Sequence, residues 1–576
     1  MERLEAKQLK GHTYYYYSRW EWVDHRCRRV WQKYLGKLED IVAACQGTGP
    51  APSCAEVFQY GLVQALWREA AGAELVGHVD RHCPKRRQGL TIGQYLAIAA
   101  INRAIDPRSK RSMWAWFSRT VLRRHLPSAS RAALSSQRFW DHMEAVRPEA
   151  ATAIWKDLVA HVVARERIDL SSIGYDGTNF YTFLDTFNTR CGLAARGKNK
   201  QGRDDLRQVS YALFCAADGQ FPLFYDVYPG NRNDARQFAE VLGRFHQFFR
   251  ELSGPAATAP ETTLIFDKGN NSADNFRLLD GLELKFVGSV KLKEHPELAA
   301  VPQSDGRFVA CAGPGLEGVK SFRVTATIAG SERVLVVTYN PKLARTQWLT
   351  LQNDIAKASG RLAELQGRLA DRAAGLITGG RPPSPASVQK QCGTILRRQH
   401  LRDVIRVTFE EGDRGLPQLA YVIDTEALHR IAETHLGKAI LISNREGWSD
   451  ERIIRAYRSQ FLIEAVFQEM KDRTTGSWWP LNHWTDSKLV VHGLYCSLAQ
   501  LLRSVLWRRV RRAGVDISLP RLLAELDEIR EVINLYPQRR RSGPPSQRTV
   551  LSRMSPTQQR LVEILGLEPA KHQELG

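Results

Sequence analysis

From about residue 168 the apolar period of this chain drops to two, and it holds there for three successive segments before helical spacing returns. Ile173 to Phe183, Val209 to Cys215 and Phe221 to Tyr228 read as strands. The link from Ala216 to Gln220 carries Asp218-Gly219, a pair suited to a tight hairpin turn. The turn Pro229-Gly230-Asn231 then leads into an amphipathic helix from Asp234 to Phe249. Thr262 to Phe266 reads as an apolar strand, Ala273 to Leu279 as a helix and Leu284 to Val290 as a further strand. Three meandering strands followed by strands joined through helices restrict this stretch to an open sheet of mixed direction.

Two carboxylates interrupt that pattern. Asp176 lies inside an apolar strand, Ser-Ile-Gly-Tyr-Asp-Gly-Thr-Asn-Phe-Tyr. An unpaired carboxylate there costs on the order of several kcal/mol unless a cation or hydrogen bonds compensate. Asp267 ends the strand Leu-Ile-Phe-Asp, and carboxyl ends of strands in open α/β sheets are frequent ligand positions. Taken singly, each is as readily a turn-capping aspartate.

A third carboxylate follows from helical geometry. Ser449 can cap a helix, and Asp450 and Glu451 suit its positive first turn. Tyr457, Glu464 and Lys471 follow at intervals of seven, a spacing that drifts by only about 20° and keeps them on one stripe. Gln460 and Phe467 flank that stripe, and Glu469 is expected on the opposite, solvated side. Coincidental spacing on a surface helix is the plainer alternative. Carboxylates from two strands and a helix suit hard cations such as Mg²⁺. Two such ions about 4 Å apart activate a water or a 3′-hydroxyl and stabilise the leaving oxygen.

Around this core, a length of 576 residues implies roughly three or four units. Lys and Arg outnumber Asp and Glu by 82 to 61, for a net charge of +21. That excess makes a polyanion the first partner to consider, with a merely basic soluble protein as the alternative. Residues 1–45 read as a β-hairpin: Tyr14 to Tyr17 through Trp20 and Trp22, a turn near Asp24-His25, and a return from Val30 to Leu35. Its interleaved Arg19, Arg26, Arg28, Arg29, Lys33 and Lys37 suit DNA backbone contact as well as they suit a solvated hairpin. Residues 55–165 read as a helical domain broken at Pro84, Pro107 and Pro127. Basic clusters at its junctions, Lys85-Arg86-Arg87 and Arg108, Lys110 and Arg111, point to DNA binding without a helix-turn-helix signature.

Residues 293–447 read as an insertion between two core segments, 168–292 and 448–505. It holds a strand pair, Phe322 to Ile328 and Arg333 to Tyr339, and a heptad run of Trp348, Leu351, Ile355, Ala358, Leu362, Leu365 and Leu369. A strand from Ala439 to Ser443 leads back to the core. The region 506–576 is expected to be helical and basic, with Arg508, Arg509, Arg511, Arg512 and Arg539 to Arg541, a solvated tail or a DNA or dimer contact. The nine cysteines form no CxxC pair, which removes support for zinc-ribbon and thioredoxin motifs. His78, His82 and Cys83 read as an ordinary helix face, because no fourth ligand has suitable spacing. An odd cysteine count fits a reducing cytoplasm. No uncharged apolar stretch reaches bilayer length, so a soluble protein without a membrane partner is expected.

At its carboxylates the chain resembles the DDE transposases of bacterial insertion sequences, specifically the YREK-signature group. The signature's Tyr, Glu and Lys fall on Tyr457, Glu464 and Lys471, while its Arg position holds Gln460, with Arg458 nearby on another face. Tyr175 to Phe180, Gly197 to Val209, Pro229 to Asp234, Asp267 to Asn270, Pro480 to Trp484 and His492 are also similar to the family's segments. The resemblance covers about 170 to 505. It implies a multidomain α+β chain with an RNase H-like α/β core, interrupted by a β-rich and coiled-coil insertion between Asp267 and Glu464. It also implies that Asp176, Asp267 and Glu464 are catalytic and hold two Mg²⁺ ions, with Mn²⁺ able to substitute.

DNA contacts are implied for Tyr457, Lys471, Arg458, Gln460, Lys268, Lys200 and Arg203. Trp478, Trp479 and Trp484 would hold DNA or a flipped base, core packing being the other reading. The implied partners are double-stranded DNA, as terminal inverted repeats and as target, and a second copy of the chain in a homodimer on that DNA. The implied reaction is hydrolytic cleavage followed by strand transfer, in a bacterial cytoplasm and on the nucleoid when DNA is bound. Two rivals are a related metal-dependent nuclease without strand transfer and a DNA-binding relic without catalysis; the presence of all three carboxylates and Lys471 counts against the relic, and Gln460 keeps it open.

Overall fold

Alternating apolar residues fold between 172 and 229 as the pattern requires, into an antiparallel meander of β1 (Ser172–Thr182), β2 (Arg207–Ala216) and β3 (Phe221–Pro229). The computed structural model describes all residues except 24, 47–51, 85–88, 198–201, 233, 254–261, 412–415, 473–477, 537–546 and 568–576. Two compact units emerge, one of Ala70–Ser109 with Ser136–Arg508, the other of Met1–Glu69, Lys110–Ser135 and Arg509–Gly576.

In the first unit the meander continues through parallel strands. β4 (Thr263–Phe266) lies parallel to β1, and β5 (Lys285–Val290) parallel to β4. Three antiparallel strands complete that side: β6 (Lys320–Ile328), β7 (Ser331–Tyr339) and β8 (Lys438–Ser443). The principal order is β6-β7-β8-β5-β4-β1-β2-β3. Gly230 closes the meander because a Cβ there would collide with the Gln208 carbonyl.

One face of the sheet is packed by aromatics. The Asp234–Ser253 helix lays Phe238 against Tyr175 and Phe266, with ring centroids 4.8 and 5.2 Å apart. Its Phe245 stacks on Phe214 at 3.9 Å. Among the described residues one helix, Asp486–Arg512, is long and apolar enough to cross a membrane, yet 94% of its apolar window is buried inside the protein.

The stretch expected to be an insertion splits into two parts. β6, β7 and β8 extend the core sheet itself, since β8 pairs with β5. The heptad helix, Pro341–Ala373, buries Leu351, Ile355, Ala358, Leu362, Leu365 and Leu369. These side chains meet Val388, Cys392, Leu401, Val404, Leu419 and Ile431. The seam therefore packs on neighbouring elements of its own segment, including the hairpin Ile405–Glu411 and Pro417–Ile423, which sequence periodicity missed.

The other unit departs more from expectation. The N-terminal hairpin is a three-stranded sheet, because Glu2–Leu9 pairs along His12–Val23, which pairs in turn with Arg26–Gly36. The extra strand is almost wholly exposed, so no apolar alternation marks it. Its Glu5 accepts from Trp20 Nε1 at 2.7 Å. The C-terminal region is not purely helical either. Arg530–Leu535 pairs with Gln547–Leu551 on one edge and with Cys54–Gln59 on the other. The last of these opens the region expected to be all helix. Such pairing between distant segments leaves no local periodicity to read. Lys85 to Arg87 and Arg539 to Arg541 lie outside the described residues.

Leu362 is fully buried in the heptad seam, and truncating a buried leucine costs about 2–5 kcal/mol. Chemical denaturation of Leu362→Ala is expected to show a loss in that range, whereas the exposed Leu349→Ala should change stability little.

Candidate active site

Alternation along a strand decides where the two aspartates point. Tyr175 and Phe266 are paired neighbours on β1 and β4, and both face Phe238. Gly174 and Ile265, the preceding pair, therefore face the other side, as do Asp176 and Asp267 two residues on. Asp267 keeps extended geometry, with φ −84° and ψ 160°, so the alternation carries to the end of the strand. Parallel strands lie about 4.8 Å apart, and the two aspartates directly follow the paired Tyr175 and Phe266. Each is half-buried. The Gly177 amide donates to Asp176 Oδ1 at 2.8 Å.

The third carboxylate arrives on the same face. A Cβ built on Gly174 would stand 3.9 Å from the side chain of Ile463, so the helix Gln460–Lys471 lies directly over β1. Ile463, Val466, Phe467 and Met470 form the buried stripe. At 100° per residue, Glu464 and Glu469 each sit about 110° from it, on opposite sides. Glu464 is exposed at the carboxylate edge. Glu469 is not solvated as expected: burial raises its carboxyl above the usual range, against the opposing charge of Arg503. Arg503 is fully buried and donates to the Ala104 carbonyl at 2.7 Å. Burial lowers its guanidinium to about 10, with Glu469 acting against that fall.

The expected single helix through Tyr457 and Lys471 is two, Asp450–Arg458 and Gln460–Lys471, meeting at Ser459. Ser449 caps the first by accepting from Arg452 N at 3.3 Å. Strand β6 anchors the same turn, with Arg323 Nε donating to Asp450 Oδ1 at 2.8 Å and Ser321 Oγ to Asp450 Oδ2 at 3.0 Å. Tyr457 then reaches the site. Its hydroxyl donates to Ser289 Oγ at 2.7 Å and lies 3.3 Å from Asp267 Oδ1, which Ser289 Oγ approaches at 3.4 Å. Burial, and then the charges of Asp267 and Glu464, push the phenol up to about 12 against the Ser289 hydrogen bond. Tyr457 thus stays protonated between two of the three carboxylates. Ser289 of β5 had no sequence signal.

The remaining expected contacts divide. Lys471 is half-buried and Lys268 exposed. Arg203 is exposed and pairs with Asp205 at 3.3 Å. Gln460 is 6% exposed, so it presents no side chain to a DNA backbone in this conformation. Arg458 donates instead to the Gly315 carbonyl. Lys200 lies outside the described residues. Trp478 is a core residue, fully buried and stacked on Phe180 at 4.5 Å. Trp479 donates to the Tyr181 carbonyl at 3.1 Å, and Arg103 holds the same segment through the Trp479 and Pro480 carbonyls at 2.6 and 3.1 Å. Trp484 is 48% exposed.

Asp176 and Asp267 thus leave one face of a mixed sheet, and the helix that carries Glu464 lies over that face. Residues 175–498 match the family model of the transposase DDE domain. That span takes in all three carboxylates and more than half of the chain, and the chain belongs to the DDE transposase family. The family implies nuclease or nucleotidyl-transferase chemistry and generally uses divalent metal ions. The structure is similar to that of the piggyBac transposase in its synaptic complex with hairpin DNA, with 11% identity, a TM-score of 0.36 and 82% of each chain covered. No curated protein matches the sequence.

The Tyr457 phenol gives a signed pH effect. Its folded value of about 12 exceeds the unfolded value, which is about 10. The stability it contributes is complete below the unfolded value and is lost as pH rises toward the folded one. Denaturation curves between those limits should show a smaller loss for Tyr457→Phe than for the wild type. Carbon-13 NMR of labelled tyrosine rings should lose one late-titrating phenol in that variant.

Proposed function

We propose that this protein is the transposase of a bacterial insertion sequence of the YREK-signature group, cutting at terminal inverted repeats and joining the ends to target DNA as a homodimer. The observation that carries the reading is the exit of Asp176 and Asp267 from neighbouring parallel strands, on the face covered by the Glu464 helix. The sheet supports it too. A three-strand meander followed by two parallel strands, in the order β3-β2-β1-β4-β5, is the strand order of an RNase H-like core.

The donor set fits the metal this chemistry needs. Asp176, Asp267 and Glu464 offer only carboxylate oxygens, the donors that hard Mg²⁺ or Mn²⁺ prefers. Two bound ions would supply Lewis acidity to the attacking and leaving oxygens of a phosphodiester. The chain's own groups do the positioning. Tyr457 and Ser289 surround one oxygen of Asp267 and fix its rotamer. The inward Glu469 and Arg503 anchor the flank of the helix opposite Glu464. Lys471, seven residues beyond Glu464 on the same helix, offers a cation to a phosphate near the cut end, and exposed Lys268 offers another.

The test is incubation of the purified protein with its element's own ends, in Mg²⁺ or EDTA, followed by addition of target DNA. Metal-dependent nicking and end joining are expected. Glu464→Gln should lower cleavage at least about 10²-fold while gel-shift binding to the ends is retained. Cleavage without joining would instead mark a metal-dependent nuclease, and binding without cleavage by the wild type in Mn²⁺ would remove the catalytic assignment.

A further inference from the structure

The helices Leu75–His82 and Pro148–Glu166 belong to the sheet-containing unit and hold a second set of ligand side chains. Glu74, His78 and His161 each offer a donor atom, all within 4.8 Å of one another. His78 is 6% exposed, and its ring meets that of His161 edge to face at 5.2 Å. The Nε2 atoms of both rings are buried without a hydrogen-bond partner. A buried polar atom left unpaired costs about 1–3 kcal/mol, and two facing one another beside a carboxylate call for a common partner.

We propose that Glu74, His78 and His161 bind one Zn²⁺ ion that ties these two helices together. Imidazole nitrogens and a carboxylate oxygen form a usual zinc set, with a water in the fourth position. Donor atoms around a tetrahedral zinc stand about 3.3 Å apart, and rotation of the exposed Glu74 side chain supplies the closure. The neighbours suit this. Arg81 Nη1 lies 3.2 Å from His78 Nδ1. On ligation through Nε2 the Nδ1 atom carries the proton, and Arg81, already 3.7 Å from Asp157, turns to that carboxylate.

His82, the nearest histidine in sequence, is engaged by Asp157 at 2.7 Å and stays outside the set. Cys83 also stays outside, because burial pushes its thiol up to about 11 and a protonated thiol is a poor ligand. An imidazole-rich set also separates this site from the all-carboxylate edge, which favours Mg²⁺.

Co²⁺ reports the site directly, because tetrahedral Co²⁺ bound to imidazole absorbs strongly in the visible range and octahedral Co²⁺ at carboxylates does not. The full-length protein is loaded with Co²⁺ or Zn²⁺, desalted, and assayed by visible absorption and elemental mass spectrometry. The wild type and Asp176→Asn are expected to retain one equivalent with tetrahedral bands, displaced by Zn²⁺. His78→Ala should lose both equivalent and bands, and Glu74→Gln should bind at least tenfold more weakly. Because His78 is buried, its variant risks misfolding; exposed Glu74→Gln and partly exposed His161→Gln then decide the matter. Absence of tetrahedral bands in the wild type, or equal binding by the Glu74 and His161 variants, would overturn the assignment and leave the two rings to a buried water.

Discussion

The parallel pairing of β1 with β4 is the contact on which the site depends. Because Tyr175 pairs with Phe266, one residue of slip would send an aspartate to the opposite face, into the aromatic layer around Phe238. That layer is what prevents the slip. Tyr175 and Phe266 are fully buried, and the alternative register would bury Asp176 or Asp267 there in their place. Packing on one face thus specifies electrostatics on the other. Burial costs of several kcal/mol per charge set the penalty for any other register.

The helix that carries Glu464 is placed by a comparable two-sided constraint. Its apolar stripe settles over Gly174, but a stripe alone permits rotation and sliding. Three polar ties remove that freedom. Arg323 and Ser321 hold Asp450 at the start of the preceding helix, Tyr457 joins its end to Ser289, and Glu469 faces buried Arg503 on the far flank. The strands between Asp267 and Glu464 are therefore part of the machinery. β6 supplies the Asp450 anchor and β8 pairs with β5, which carries Ser289. An interval that looks like an insertion in sequence is, in part, the clamp for the helix pair that carries Glu464.

What was legible in the sequence was whatever a local period can encode. The strands around Asp176 and Asp267, the capping Ser449 and the heptad seam all carry their own patterns, and each forms within a residue or two of expectation. Elements with one polar, exposed strand were not legible: Glu2–Leu9 and Cys54–Gln59 are held by backbone pairing with segments whose partnership leaves no period. Helix-face reasoning failed at Glu469 for a related reason. A position about 110° from the stripe is neither core nor back, and only the presence of Arg503 on another helix decides its environment. Ser289, a polar residue in a buried strand, was invisible for want of any motif.

The basic excess of the chain also changes meaning once its partners are known. Arg207 donates to the carbonyls of Asp185, Asn188, Ala194 and Cys191 and so fastens the loop between β1 and β2. Arg508 joins the Glu166 and Arg167 carbonyls to Asp218, Arg103 holds the Trp479 carbonyl, and Arg503 holds the Ala104 carbonyl of a distant helix. A guanidinium offers five donors in a fixed plane, which lets one side chain close several carbonyls where a lysine would reach fewer. Much of the arginine content is therefore structural, and a net charge of +21 overstates the cation density that DNA can meet. In the N-terminal sheet, by contrast, Arg26 and Arg28 are exposed, on the strand that carries exposed Trp31 and pairs with the strand of exposed Trp22. Charge that is both free of the fold and interleaved with aromatics is what a nucleic-acid backbone can use, so position, and not count, separates the arginines that build this protein from those available to its polyanion.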